Sequence, residues 1–451
     1  MSSQTFSSAV GWLDERIARD PSINPQLFAE LFQSQRELGL VHDERPLCPF
    51  LRPHMLSRSL YERVARAAET LAFAFERMAQ AALSDPKLLS ELELTERERT
   101  MARFDPGYPR LCVTSRLDAY LDGEDFQFLE YNAESPAGVA DQMQLEKVLF
   151  GLPHMKEFLG RHAHWSARPH RLLLRALLDT YRRWGGQAER PQIAIVDWEG
   201  VSTATEFEVL KEYFDAEGYA TVIADPRALS YNDEALMARD FRVDILYKRV
   251  VIHEFLEKYD ETHPLARAYS EHKVCMANSF RTKLAHKKAG FAILSDPAYE
   301  HLFTPAQLAC IRLHIPWTRR VREGWTTYKG ERREMTDVLM RERERLILKP
   351  NDDYGGHGIV IGWETDADAW EEAIGLALAA PFVVQERVAV EKVRVPMFTA
   401  DAVSTEEMFI DFDPFLFLNK VEGGLVRLSA SSLCNVSSGG GETALLVLEN
   451  F

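Results

Sequence analysis

The chain reads as a mixed α/β (α+β) protein with a helical N-terminal region, and three observations predict this. Residues 60–83 carry apolar side chains at helical spacing with no Gly or Pro. Residues 193–249 alternate short apolar strands with a helical segment, the pattern of a small parallel sheet. From residue 345 onward, β-branched and aromatic runs are separated by turn residues. At 451 residues the chain is too long for one simple core, and about two to four structural units are expected.

The elements follow in order. The helix over 60–83 stops at Ser84-Asp85-Pro86. Leu111 to Asp118 reads as a strand, Asp122-Gly-Glu-Asp125 as a turn, and Phe126 to Asn132 as the returning strand, together a β-hairpin. A helix over 172–184 closes at Gly185-Gly186. Strands at 193–198, 220–226 and 243–249 surround a helix at 204–216. Residues 266–345 are mainly helical and charged. Strands are expected at 345–350, 358–362, 382–386 and 408–418, with a helix over 366–379.

Composition excludes several classes. An apolar fraction of 46% with 27% charged residues is that of a globular protein. A formal charge of −16 argues against a nucleic-acid surface, which needs clustered Lys and Arg, but leaves room for a locally basic pocket. Five widely spaced cysteines form no CxxC pair, so reduced core thiols in a cytoplasmic protein are expected. The N-terminus lacks the pattern of a signal peptide, and the most apolar stretch, Ile374 to Val384, is short and broken by Pro381. No membrane or nucleic-acid partner is expected.

Two constellations carry chemistry. Between two expected strands lies Asn351-Asp-Asp-Tyr-Gly-Gly-His-Gly358, preceded by Lys349-Pro350. Its glycines, Gly355, Gly356 and Gly358, permit positive φ and close backbone approach, so N–H groups there can cradle phosphates. Neither a P-loop nor a dinucleotide fingerprint matches. The bland alternative is a hairpin loop beside a solvated lysine. The second constellation is the 111–132 hairpin. Arg116 and Asp118 share one strand face, and Glu130 and Asn132 share a face of its partner. Two carboxylates and an amide oxygen suit Mg2+, and an arginine beside them suits a phosphate. Here the alternative is an exposed face with an ordinary ion pair.

Taken together, Lys-Pro, the glycine loop and the strand ending Val383-Val-Gln385-Glu386-Arg-Val388 resemble the nucleotide-binding half of the ATP-grasp fold. The Glu-x-Asn pair of that family normally follows this strand; here it precedes it, the order of the circularly permuted branch. Within that branch the chain is most similar to the synthetase domain of glutathionylspermidine synthetases, through Arg116-Leu-Asp118 and Glu130-Tyr-Asn-Ala133. The resemblance implies Asp118, Glu130 and Asn132 as metal ligands. It implies Lys349 on the nucleotide phosphates, and Gln385, Glu386 and Val388 as the adenine hinge. Arg116 and Arg427 would stabilise charge on phosphate and tetrahedral oxygens. Lys283, Lys287 and Lys288 compete for a second phosphate lysine, and the alignment of His-Lys-Lys-Ala289 favours Lys288. Cys434 to Gly441 resembles a closing segment of related proteins.

The implied organisation is a helical region at 1–104, a permuted part of the core with the metal hairpin at 105–187, a small parallel α/β unit at 188–265, and lid plus nucleotide-binding core at 266–451. The implied activity is ATP- and Mg2+-dependent joining of a small-molecule or peptide carboxylate to an amine through an acyl phosphate. An ATP-binding scaffold and a phosphotransferase that stops at the phosphorylated product are the alternatives. No amidase domain precedes this part, and Ser135-Pro-Ala-Gly138 departs from the family's pattern. Tyr247-Lys-Arg249, at the end of a parallel strand, is a candidate for a substrate carboxylate. Asn278 and Asp352 are candidates to line the site. His162, His164 and His170 have no metal-binding spacing and are expected to be solvated or capping.

Overall fold

The computed structural model describes residues 2–42, 45–353, 355–399, 402–431, 434, 440–449 and 451. Its largest sheet is antiparallel, in the order Gly441–Thr443, Lys420–Ser429, Ala402–Phe417, Thr114–Asp122 and Asp125–Asn132, with Lys392–Thr399 also pairing on Ala402–Phe417. The expected hairpin is therefore one edge of a larger sheet rather than standing alone. The helix Arg58–Ser84 covers one face of this sheet. It is capped by Ser57, whose Oγ accepts from the Leu60 N–H at 3.2 Å. Phe75 on that helix packs its ring 4.7 Å from Tyr131 and 5.1 Å from Phe291, joining hairpin and helix in one core.

The second sheet is parallel, in the order Cys275–Ala277, Ile245–Lys248, Ile193–Val196 and Thr221–Ala224. Its fourth strand, Cys275–Ala277, lies beyond the expected end of this unit at residue 265. A three-residue buried strand gives too short a periodic signal to be read from sequence. The chain leaves Ile193–Val196 toward one sheet edge and returns to its other side at Ile245–Lys248. Such a switch point is where α/β sheets bind ligands. The third sheet, Thr318–Arg320, Phe382–Glu386, Leu346–Pro350 and Val360–Ile361, is antiparallel and packs on the helix Ala367–Ala379. The strand expected at 358–362 shrinks to two residues.

The first hundred residues are not purely helical. His54–Ser57 forms a strand parallel to Leu445–Leu448, which ties the N-terminal region to the end of the chain. Among the described residues no helix is long and apolar enough to cross a membrane. All five cysteines are unbridged.

Asn278 does not line a site; it is a buried tie. Its Oδ1 accepts from the Val113 and Thr114 N–H groups at 2.7 and 3.2 Å, and its Nδ2 lies 2.7–3.0 Å from the carbonyls of Thr114, Ala133 and Glu134. It thus holds both ends of the hairpin against the parallel sheet. Replacing Asn278 with Ala strands several buried backbone groups, each costing about 1–3 kcal/mol. The expected result is a loss of at least about 3 kcal/mol in unfolding free energy, measured by urea denaturation. A change under about 1 kcal/mol contradicts this role.

Candidate active site

The hairpin register sets Arg116 opposite Asn132 and Asp118 opposite Glu130, with a bulge after Asp118. The four polar side chains therefore share one face, as period-two alternation requires. The neighbouring strands add residues to it. Asp411 is the register partner of Arg427, and both stand beside Asp118. Asp118 is the hub of this group. Its Oδ1 accepts from Arg116 Nε at 2.9 Å and from Asn132 Nδ2 at 3.0 Å, and its Oδ2 accepts from Arg116 Nη2 at 3.0 Å and Arg427 Nη2 at 2.9 Å. Arg427 also reaches Asp411 at 2.5 Å and Asp413 at 2.9 Å.

Charge explains how this buried group is tolerated. Burial alone would raise the Asp118 carboxyl, but Arg116 and Arg427 hold it below its ordinary value. Asp413, fully buried, is pushed well up by burial against the pull of Arg427, with Asp118 and Asp411 adding to the rise. A protonated Asp413 leaves two carboxylates facing two guanidiniums, a neutral cluster.

This geometry refines the expected metal set. Both Asp118 oxygens accept from cationic or amide donors, so Asp118 orients Arg116, Arg427 and Asn132; its carboxylate also lies with those of Asp411 and Asp413 closely enough to share a metal ion. Asn132 donates through Nδ2, which turns its carbonyl oxygen away from Asp118. Glu130 pairs with Lys288 through one oxygen at 3.1 Å. Among the described residues the other Glu130 oxygen and the Asn132 carbonyl oxygen accept no hydrogen bond. These hard oxygens fit Mg2+, which takes few protein ligands and completes its shell with phosphate and water.

The three competing lysines separate cleanly. Lys283 lies 2.8 Å from Glu134 and 2.7 Å from Asp352. Lys287 lies 2.9 Å from Glu98 and 2.6 Å from Asp352. Lys288 alone of the three meets the hairpin, and its Nζ also donates to the Asp353 carbonyl at 2.6 Å. Asp352 is thus an anchor for the glycine loop: burial opposes its charge, but Lys283 and Lys287 hold it far below the ordinary carboxylate range. Glu134, His286 and Asp352 converge closely enough for a metal, yet the Lys283 ammonium already neutralises them.

Lys349 is buried and donates to Gln385 Oε1 at 2.7 Å, while Gln385 donates to Thr318 Oγ1 at 3.1 Å. Gly355, Gly356 and Gly358 have φ of +69°, +80° and +68°. A Cβ on Gly358 would come within 2.7 Å of the Pro350 ring, so a side chain there would push the loop off its strand. Tyr354, in the same loop, lies outside the described residues, as does most of the Cys434–Gly441 closing segment.

A cavity of about 700 Å³ joins these parts. Arg116, Asp118, Glu130, Asn132, Lys349, Gly355, Gly356, Gln385, Glu386, Val388 and Arg427 line it; Lys288 and Gly358 do not. No family profile and no curated protein matches the sequence. A solved glutathione synthetase-like effector from Globodera pallida, in apo form, superposes with a TM-score of 0.63 over 95% of this chain and 98% of that one, at 13% identity. This chain has that protein's fold. The arrangement is consistent with an ATP-grasp-like fold. A protein described as a gamma-glutamylcysteine synthetase from Methylobacillus flagellatus KT aligns over 84% of this chain and 85% of its own at 10% identity, with a TM-score of 0.39, too loose to add to the comparison.

The cavity continues past the hairpin to the switch point of the parallel sheet, where Asp197, Ser202, Thr203, Glu206 and Arg249 line it. Arg249 is not free for a substrate carboxylate. Its guanidinium lies 3.1 Å from Glu206, whose other oxygen accepts from the Gly138 and Val139 N–H groups at 3.0 and 2.9 Å. An internal carboxylate has taken the place expected for an external one. Asp411 and Asp413 escaped the sequence reading although Ile410-Asp-Phe-Asp413 shows two acids at strand spacing in an apolar run. Val41, His42 and Leu47, which also line the cavity, carry no local signal at all.

Burial lowers Lys349 to about 8, with Glu130 opposing the fall. Anionic phosphates select the protonated amine, so binding above about pH 8 requires prior protonation. With ATP as the expected nucleotide, its affinity should fall as pH rises from 7.5 to 9.5, by up to about tenfold per pH unit. Titration calorimetry should show that slope, and Lys349→Arg should flatten it. A slope unchanged by that substitution removes Lys349 from nucleotide binding.

Proposed function

We propose that this protein is an ATP-dependent carboxylate–amine ligase that works through an acyl phosphate, with a circularly permuted ATP-grasp arrangement. The observation that carries the reading is the single cavity shared by Lys349, the glycine loop, the 385–388 strand end and the Glu130–Asn132 face. Mg2+, held by Glu130 and Asn132, would screen charge on the phosphates of ATP. Lys349 and Lys288 hold phosphate oxygens, and the peptide N–H groups of 355–358 close over them. Gln385, Glu386 and Val388 border the adenine end. A substrate carboxylate attacks the γ-phosphorus in line, and an amine then displaces phosphate from the acyl carbon. Arg116 and Arg427, locked on Asp118, face the charge that develops. No protein nucleophile is needed, because positioning and electrostatics suffice for phosphoryl transfer.

Release of ADP measured over a matrix of carboxylates and amines tests this reading. Amino acids, polyamines and peptides serve as amines, since the glutathionylspermidine-like motifs favour a polyamine. ADP release that needs both a carboxylate and an amine is the expected result. ATP binding without turnover favours a scaffold, and a stable phosphorylated product formed without amine favours a phosphotransferase.

A further inference from the structure

We infer that Glu442, assisted by Asp141, accepts the proton of the attacking amine; the inference rests on the ligase reading above. Glu442 is the register partner of Arg427, itself the partner of Asp411, so three charged side chains stand in a row on the cavity face of the sheet. Glu442 is 7% exposed, and its Oε2 has no hydrogen-bond partner. Asp141, in the first turn of helix Val139–Phe150, lines the same cavity. Among the described residues neither carboxyl forms an ion pair. Their neighbours on the sheet and helix are committed: Asp118 and Asp411 to Arg427, and Glu206 to Arg249. A buried carboxyl left without a partner beside a reaction cavity is costly unless a ligand meets it.

The electrostatics agree. Burial, opposed by Arg427 and Arg116 and helped by Glu206, raises Glu442 to about 7. Burial and then Glu442 push Asp141 well above its ordinary value. Two neighbouring carboxyls, one kept protonated, leave the other to act as a base near neutrality. The proton inventory closes. An alkylammonium gives one proton to Glu442, and the neutral amine attacks the acyl carbon. The C–N bond forms, the C–O bond to phosphate breaks, and phosphate leaves with the second nitrogen proton.

The test compares two nucleophiles on the full-length protein: propylamine, which enters as an ammonium ion, and hydroxylamine, which is already neutral at pH 7.5. In Glu442→Gln, propylamide formation should fall about 10²-fold, with hydroxamate formation and carboxylate-dependent ADP release within about threefold of wild type. Asp141→Asn should shift the same ratio in the same direction. Retained hydroxamate formation shows that the variant folds and activates its carboxylate. Equal losses with both nucleophiles, no loss with either, or wild-type protein that couples only hydroxylamine would each overturn the assignment. Absence of carboxylate-dependent ADP release in the wild type would instead overturn the ligase reading first.

Discussion

Glu130→Ala is expected to lower carboxylate-dependent ADP release by about 10²–10³-fold, the range for removing one preorganised electrostatic contact at the reacting phosphates. Glu130 is half-buried, and its charge is maintained against burial by Lys288 and, more weakly, Lys349. Removing it takes away a hard oxygen ligand and the partner that positions Lys288. The fold should survive, because Lys288 keeps the Asp353 carbonyl at 2.6 Å and Glu130 bridges no other element. Thermal unfolding should stay within a few degrees of wild type. Unchanged turnover would remove Glu130 from the metal set; a collapse in stability would make its role structural.

Asp118→Ala is expected to do the opposite, with a structural effect at least as large as the catalytic one. Asp118 meets Arg116 in a two-pronged pair and meets Arg427 as well; Asp118 and Arg116 are buried and Arg427 is largely covered. Removing one member of a buried charge cluster leaves uncompensated guanidiniums and costs about 3–5 kcal/mol. Denaturant unfolding should show that loss. Asp118→Asn keeps the shape and two acceptor lone pairs, so it should lose less stability yet still misplace Arg116 and Arg427. Equal, small losses in both variants would mean that the cluster does not depend on Asp118.

Much of this was legible locally. The turn at Asp122–Asp125 marked the hairpin, but a register counted from that turn sets Asp118 opposite Leu129; the bulge beyond Asp118 shifts the pairing by one residue and brings Arg116, Asp118, Glu130 and Asn132 to one face. The glycines of 355–358 announced a loop with positive φ. Helix limits such as Ala204–Ala216 followed from spacing and flanking turn residues. What escaped was non-local. Arg427 meets Asp118 across 309 residues of chain, and only the sheet order shows that Asp411 and Asp413 lie between them. The same holds for Arg249, whose strand-end position is a common ligand site but whose partner, Glu206, sits on a separate helix. His54–Ser57 was missed because a short buried strand has no period of its own and exists only beside Leu445–Leu448. The three lysines were also beyond spacing alone: Lys283 and Lys287 both pair with Asp352, whereas Lys288 pairs with Glu130, and only the folded contacts show that difference.

The central claim is that a substrate carboxylate is activated by phosphorylation in the cavity bordered by Glu130, Lys349 and the glycine loop. Transfer of oxygen-18 from a doubly labelled carboxylate measures this most directly. The mechanism predicts one labelled oxygen in the inorganic phosphate released per turnover, because the carboxylate oxygen that attacked the γ-phosphorus leaves with it. Turnover with unlabelled phosphate would contradict the account.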